Sequence, residues 1–131
     1  MGRRLRDTAN LLNGSTVLGM LVGLFGRGRF RGYSGLVVVD RVRLPKVVTA
    51  SAMTVGSVVL VPRRSLEEAV ARVPELMQHE EEHAWQYAYC FGLPFLPLYG
   101  LATAWSLART GDRARANVFE VQAGLETGGY R

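Results

Sequence analysis

The sequence contains one group of side chains whose types and spacing suit metal chemistry. Residues 79–83 read H-E-E-E-H, which matches the pattern HExxH, and His79 and His83 are the only two histidines of the chain. On a helix, residues four apart lie on one face, so both imidazoles can bind one Zn²⁺ ion. Glu80 lies about 100° around the helix and can act as general base on a water at that metal. The alternative is an acidic helix face that carries two solvated histidines.

A zinc site of this kind needs a third protein ligand, and the chain has no further histidine to supply it. Cys90 falls near the histidine face but lies two turns beyond His83, about 10 Å along the axis. We therefore predict a packed thiol at Cys90 rather than a ligand. Glu120, 37 residues after His83, is the better candidate, and Glu126 and Asp112 are the fallback choices.

The role of Glu120 depends on where its helix begins. If the helix begins after Asp112, Glu120 lies in mid-helix and its carboxylate can turn to the metal. If Asn117 is the N-cap, Glu120 is the third helical residue and the expected capping partner of Asn117. The sequence leaves both alternatives open. Gln86, which lies on the face of the two histidines, is a candidate to support a ligand from outside the metal shell.

Turn residues and apolar patterns predict an α+β order of elements, with one helix, a few strands and then several helices. A capping box is predicted where Ser65 precedes Glu68 by three residues, and Gly92 is predicted to stop the H-E-E-E-H helix. The predicted helices cover residues 5–25 (interrupted at 13–14 in one interpretation), 65–73, 75–91, 97–109 and 113–126, the last ended by glycines 128 and 129. The predicted strands cover residues 36–42, 47–53 and 54–61, and residues 26–33 are predicted to form a basic loop.

These residues carry a resemblance to known proteins. H-E-E-E-H followed by the glutamate of NVFEVQA resembles the gluzincin clan of zinc metallopeptidases. The longer runs HEEEHAWQYAYCFGLPFLPLY and WSLARTGDRARANVFEVQAGLETGGY resemble small uncharacterised HExxH proteins of high-GC bacteria. The resemblance implies one minimal zincin-like domain over residues 1–131, with an N-terminal part (1–33), strands (34–62) and a helical metal-site region (65–131). It also implies Zn²⁺ held by His79, His83 and Glu120, with Glu80 as the catalytic base.

The resemblance further implies a peptide or protein substrate. Gluzincin peptidases usually bring an added His or Tyr to the oxyanion; with no histidine left, Tyr87, Tyr99, Tyr130 or an arginine would have to serve here. By analogy with the clan, strand residues 57–61 are expected to offer an edge to an extended peptide. The competing hypothesis is a catalytically inactive metal-binding or partner-binding module with the same fold.

Charge is concentrated in the first part of the chain. Residues 1–46 carry nine Lys or Arg against two Asp, which gives +7, and residues 47–131 carry seven against nine, which gives −2. This asymmetry predicts an anionic neighbour, and a membrane surface fits better than nucleic acid because no nucleic-acid-binding motif is present. The alternative is a solvated basic face. With one cysteine, no internal disulfide forms, which fits a reducing compartment.

Two uncharged stretches bear on membrane contact. Residues 9–26 have a strongly apolar part of only nine residues, shorter than the roughly 20 needed to span a bilayer. Arg27, Arg29 and Arg31 follow where a signal peptide would have its cleavage site, so we predict no cleavable signal. Residues 87–108 are interrupted by two prolines. We therefore expect a cytoplasmic protein, with peripheral attachment to the inner face of the membrane as an extension of that expectation.

Overall fold

The computed structural model describes residues 2–33, 35–46, 50–90 and 92–124. In this part of the chain the protein is α+β, with six helices and a four-stranded mixed sheet. The elements in chain order are α1 (Gly2–Leu12), α2 (Ser15–Phe25), β1 (Arg29–Tyr33), β2 (Leu36–Val42), β3 (Met53–Val55), β4 (Val58–Pro62), α3 (Leu66–Arg72), α4 (Leu76–Tyr89), α5 (Phe95–Thr110) and α6 (Val118–Ala123).

The sheet has the order β1-β2-β4-β3, with β2 and β4 parallel and the two outer pairs antiparallel. The two central strands are rich in valine because both of their faces are buried. Alternate residues of these strands pack on opposite sides. Val38 and Val59 join α3 and α4 on one face, whereas Val39 and Val58 join residues of α2, α4 and α5 on the other.

The strands differ from the prediction in two places. Residues 29–33 of the predicted basic loop form strand β1, so that prediction was wrong. The predicted single strand over 54–61 is a hairpin, because Gly56, at φ +66°, allows a tight turn between β3 and β4. In the predicted strand over 47–53, residues 47–49 lie outside the described residues, 50–52 are not in a strand, and only Met53 is part of β3.

Ion pairs between two arginines of β1 and one carboxylate of β2 add to the backbone pairing of these strands. Arg29 donates two hydrogen bonds of 3.1 Å to the fully buried Asp40 carboxylate, and Arg31 donates a third at 3.3 Å. The backbone N–H of Leu66 donates a fourth at 2.8 Å. Burial would raise the pKa of Asp40, but these hydrogen bonds outweigh it, led by those from Arg29, and lower the pKa below its usual value.

The helices follow the prediction more closely. The interruption at residues 13–14 is confirmed, since Gly14 has φ +85° and the axes of α1 and α2 meet at 75°. Within the described residues, no single helix has the length and apolar content to cross a bilayer, and only the bent pair α1–α2 has both. The Ser65–Glu68 capping box is confirmed. Gly92, with φ +81°, follows α4 as predicted.

The last helix is much shorter than predicted. It begins at Val118 rather than at residue 113, because residues 112–117 form turns organised by the Asp112 side chain. The predicted end of this helix at residues 125–126 and the glycines at 128–129 lie outside the described residues.

Candidate metal centre

Helix α4 brings the two histidines together on its buried side. His79 and His83 lie one helical turn apart, with ring centroids 4.8 Å apart and ring planes at 79°. Their Nε2 atoms are 3.1 Å apart. Both residues are buried, so the alternative of two solvated histidines is wrong.

Helix α6 delivers the third side chain. Oε1 of Glu120 lies 2.9 Å from Nε2 of His79 and 2.8 Å from Nε2 of His83. The side chain of Asn117 accepts a hydrogen bond from the backbone N–H of Phe119, so Asn117 is the N-cap and Glu120 is the third helical residue. The helix therefore begins where the capping alternative placed it, yet the Glu120 carboxylate turns to the histidines.

The outer nitrogen of His79 fixes the protonation of its ring. His79 Nδ1 lies 2.7 Å from the backbone carbonyl oxygen of Gly124. A carbonyl oxygen can only accept a hydrogen bond, so Nδ1 carries a proton. In the neutral ring, Nε2 then presents a lone pair to the Glu120 side, which is the tautomer that a metal ligand needs.

Gln86 fixes the tautomer of His83. Its amide nitrogen donates hydrogen bonds to the backbone carbonyl of Phe119 at 2.8 Å and to Oε1 of Gln122 at 3.0 Å. This orientation leaves Oε1 of Gln86 to accept from Nδ1 of His83 at 2.8 Å. The predicted supporting position of Gln86 is therefore where the structure places it, and in a neutral ring Nε2 of His83 presents its lone pair to the centre.

Three electron-pair donors thus converge on one point from two helices. Nε2 of His79, Nε2 of His83 and Oε1 of Glu120 repel one another unless they share a proton or a cation. Three ligands of a tetrahedral Zn²⁺ at its usual bond lengths lie about 3.3 Å apart. The three distances here are 3.1, 2.9 and 2.8 Å, so each need lengthen by only a few tenths of an ångström. The residues present fit a zinc ion.

The electrostatics of the metal-free cluster agree with this geometry. Burial would lower the pKa of His83, but its hydrogen bond to Glu120 and the negative charges of Glu80 and Glu120 outweigh burial and raise it to about 9. Burial would likewise raise the pKa of Glu120, and the hydrogen bonds from His79 and His83 hold it well below its usual range. The cluster therefore favours a positive charge between the rings and the carboxylate, which a divalent ion would supply in place of a proton.

Glu80 lies beside this cluster on the same cavity wall. Its Oε2 accepts a hydrogen bond of 2.7 Å from Oγ1 of Thr54, which comes from the neighbouring strand β3. Glu80 is buried and lines the cavity together with His83 and Glu120. The structure therefore positions the predicted base next to the candidate ligands, and Thr54 orients it. Thr54 has no local sequence signal, because only the fold brings β3 to α4.

The candidate tyrosines take different positions. The Tyr99 hydroxyl, from α5, donates a hydrogen bond to Oε2 of Glu120 and lies on the cavity wall. Tyr87 also lines the cavity but is buried beside Phe95, and burial together with the charge of Glu80 raises the pKa of its hydroxyl. Tyr130 lies outside the described residues.

The other ligand candidates from the sequence are Cys90, Asp112 and Glu126. Cys90 is half-buried against the apolar cluster that contains Tyr87, as the packed-thiol prediction expects. The fallback choice Asp112 uses its carboxylate on the backbone N–H groups of residues 114 and 115 and is not part of the group of candidate ligands. Glu126 lies outside the described residues.

A cavity of about 250 Å³ opens at the cluster. Its wall is largely apolar, with Met53 of β3 and Leu96 of α5 among the lining residues, and Arg113 is its cationic member. Arg113 has no distinguishing signal in the sequence, since the stretch that contains it carries several arginines. The cavity is large enough for a short peptide segment or one large side chain.

No match was found among known protein families, curated proteins or solved structures.

Proposed function

We propose that this protein is a zinc-dependent hydrolase of peptide bonds, with His79, His83 and Glu120 as ligands and Glu80 as general base. The observation that carries the proposal is the convergence of two ring nitrogens and a carboxylate oxygen within 3.1 Å of one another, with both outer ring nitrogens already hydrogen-bonded. An α+β chain in which a sheet precedes the histidine helix is compatible with a minimal zincin-like domain, and we propose that class of fold.

The nature of the donors supports zinc. Two imidazole nitrogens and one carboxylate oxygen are a ligand set that catalytic zinc sites use, with a fourth position left for water. Bound there, Zn²⁺ would lower the pKa of a water molecule and polarise a carbonyl group. Oxygen-seeking ions such as Mg²⁺ fit less well, because they favour carboxylate, carbonyl and water ligands over imidazole.

Glu80 has the position of a proton carrier. Its carboxylate lines the cavity beside His83, so it would accept the proton of an attacking water and return it to the leaving amine. The hydrogen bond from Thr54 fixes one carboxylate oxygen and leaves the other available. Arg113 also lines the cavity and is the donor that we propose for a developing oxyanion, whereas the single hydroxyl proton of Tyr99 is donated to Oε2 of Glu120.

The position of β3 supports a peptide as substrate. The expected edge at residues 57–61 was wrong, because β4 pairs with β2 on one side and β3 on the other. The strand at this side of the sheet is β3, and its residues Met53 and Thr54 line the cavity. A peptide in extended conformation would pair with β3 and pass Glu80.

Two measurements test the proposal. Metal analysis of the purified protein should find one zinc per chain, and His83→Ala should lower that content to a small fraction. Hydrolysis of a library of quenched fluorescent peptides should fall by about two orders of magnitude or more in Glu80→Gln. Glu82→Gln is the matched control, since it makes the same change on an exposed residue of the same helix and should keep full activity.

The outcomes separate the hypotheses. Zinc-loaded protein with no hydrolysis of any library peptide would favour the inactive metal-binding module. Equal activity in Glu80→Gln and Glu82→Gln would refute the role of Glu80. Metal analysis that finds no zinc after purification and reloading would refute the site itself.

A further inference from the structure

Helix α2 packs on the sheet through its smallest residues. Ser15, Gly19 and Gly23, spaced four apart, are its buried positions. A Cβ atom at Gly19 would lie 2.6 Å from the backbone oxygen of Val55 and 2.7 Å from the Cβ of Val58, so only glycine permits this approach. The helix therefore lies close to the sheet along this line, and Leu18, Met20 and Val22 pack against the apolar cluster beside it.

Four large apolar side chains of α2 face outward. Val17, Leu21, Leu24 and Phe25 lie on the side opposite the glycines, and Leu24 and Phe25 are 61% and 85% exposed. The last residue of α1, Leu12, is 82% exposed. We call these five residues the α2 face. A helix on a water-exposed surface normally has the reverse arrangement, with large apolar residues toward the core.

Small residues inward and large apolar residues outward are typical of helices that pack against protein on one side and lipid on the other. The whole of α2, from Ser15 to Phe25, contains no charged residue. The apolar surface continues past the α1–α2 turn, because Leu93 lies 3.8 Å from the Cβ position of Gly14, and Leu93 is itself exposed.

Exposed cations lie at the carboxyl end of this face. Arg27 follows Phe25 by two residues, and the backbone N–H of Arg43 donates to the carbonyl of Gly26 at 2.8 Å, which places Arg43 at the same end. Residues 26–46 contain six Lys or Arg and one Asp, a net charge of +5. Arg29, Arg31 and Arg41 pair with Asp40, Glu67 and Glu68, so the exposed Arg27 and Arg43 are the cations that adjoin the apolar face.

We propose that the α2 face docks on a lipid bilayer that contains anionic phospholipids, with its apolar side chains among the upper acyl chains and Arg27 and Arg43 at the phosphates. The proposal is independent of the hydrolase function. Apolar side chains on one side of a helix with adjacent basic residues are the combination by which interfacial helices bind anionic membranes. A second copy of this chain fits less well, because the two cationic ends would add positive charge to a symmetric interface.

Vesicle flotation tests the proposal with the whole chain. We expect the protein to float with vesicles of 70% phosphatidylcholine and 30% phosphatidylglycerol and to bind pure phosphatidylcholine at least about tenfold more weakly. Leu24→Ser with Phe25→Ser should lower the partition coefficient at least about tenfold, since both side chains then lose their transfer to lipid. The control is Val118→Ser with Val121→Ser, which alters two exposed apolar residues of α6 and should have no effect.

A charge variant tests the second half of the argument. Arg27→Glu with Arg43→Glu should abolish the preference for anionic vesicles, whereas Arg72→Glu, an exposed change on α3, should change binding less than twofold. Wild-type protein that stays at the bottom of the gradient would overturn the proposal. So would equal flotation of the serine variant and its control, or a dimer in gel filtration that Leu24→Ser with Phe25→Ser converts to a monomer.

Discussion

Replacing Gln86 by leucine tests whether hydrogen bonding behind the ligands controls the metal site. Leucine occupies a similar volume but offers no acceptor to Nδ1 of His83. The ring of His83 can then rotate or place its proton on Nε2, and in either case the lone pair no longer faces Glu120. The change removes three hydrogen bonds in all, because the Gln86 amide also donates to Phe119 and Gln122.

The expected magnitude follows from these contacts. Removing a group that orients a metal-bound histidine typically lowers metal affinity 10- to 100-fold, or about 1.4 to 2.7 kcal/mol of binding free energy. Three net hydrogen bonds at about 0.5–1.5 kcal/mol each predict a loss of roughly 1.5–4.5 kcal/mol in the free energy of unfolding of the metal-free protein. Both values are large enough to measure independently.

Zinc affinity is measured by competition with a chromophoric chelator at pH 7.5, and unfolding by urea titration followed by circular dichroism. Gln86→Glu separates the two effects. It keeps an acceptor for His83, so affinity should stay within a few-fold of the wild type, but it loses the donors to α6, so stability should fall. Gln122→Leu is the control, because Gln122 is exposed and accepts a hydrogen bond from the amide nitrogen of Gln86, not from its oxygen that faces His83. If Gln86→Leu is folded and its zinc affinity is within twofold of the wild type, hydrogen bonding behind the ligands does not control the metal site.

Three further predictions concern residues around the site and in the sheet. Tyr99→Phe removes the hydroxyl that donates to Oε2 of Glu120 and should lower zinc affinity about three- to tenfold in the same competition assay. Asp40→Asn should lower the unfolding free energy at pH 7. The pKa of Asp40 is lowered in the folded protein, so its carboxylate makes its full contribution to the unfolding free energy above about pH 4 and loses it as the pH falls. Urea titrations of the variant and the wild type should therefore converge in acid. Gly19→Ala should cost about 1–3 kcal/mol in urea titration through overpacking, whereas Gly100→Ala, which meets nothing within 4 Å, should be neutral or slightly stabilising.

The ligand geometry could be predicted where it depends on local helical spacing. Two histidines four residues apart must share a helix face, and the structure has them there. Glu120 was less certain, because the same residue types fit a capping box and a ligand. The sequence could not decide between them, since at the third position of α6 the carboxylate direction depends on how that helix lies against α4.

The strands were harder to predict because a strand forms only where another segment pairs with it. The segment GRGRFRGY has the glycine and arginine content of a turn, yet residues 29–33 form a strand. They do so because β2 pairs with them and because the buried carboxylate of Asp40 binds two of their arginines. The run TVGSVVLV has Gly56 and Ser57 between two β-favouring segments, a pair typical of a two-residue hairpin turn, and the single-strand prediction overlooked this signal. Pairing with a neighbouring segment and charge neutralisation decide such cases, and the residue composition of one segment does not show them.

Helix α6 explains why the ligands and their supporting groups act as one unit. At six residues it is too short to be stable as an isolated helix, so its position depends on contacts with α4 and α5. Gln86 donates to its backbone, the ring of His79 donates to the carbonyl of Gly124 just after it, and Glu120 lies between these two contacts. The groups that fix the histidine tautomers therefore also hold the carboxylate in place. A metal ion bound by all three ligands would stabilise this segment by linkage, so removal of the metal should lower the local stability of α6.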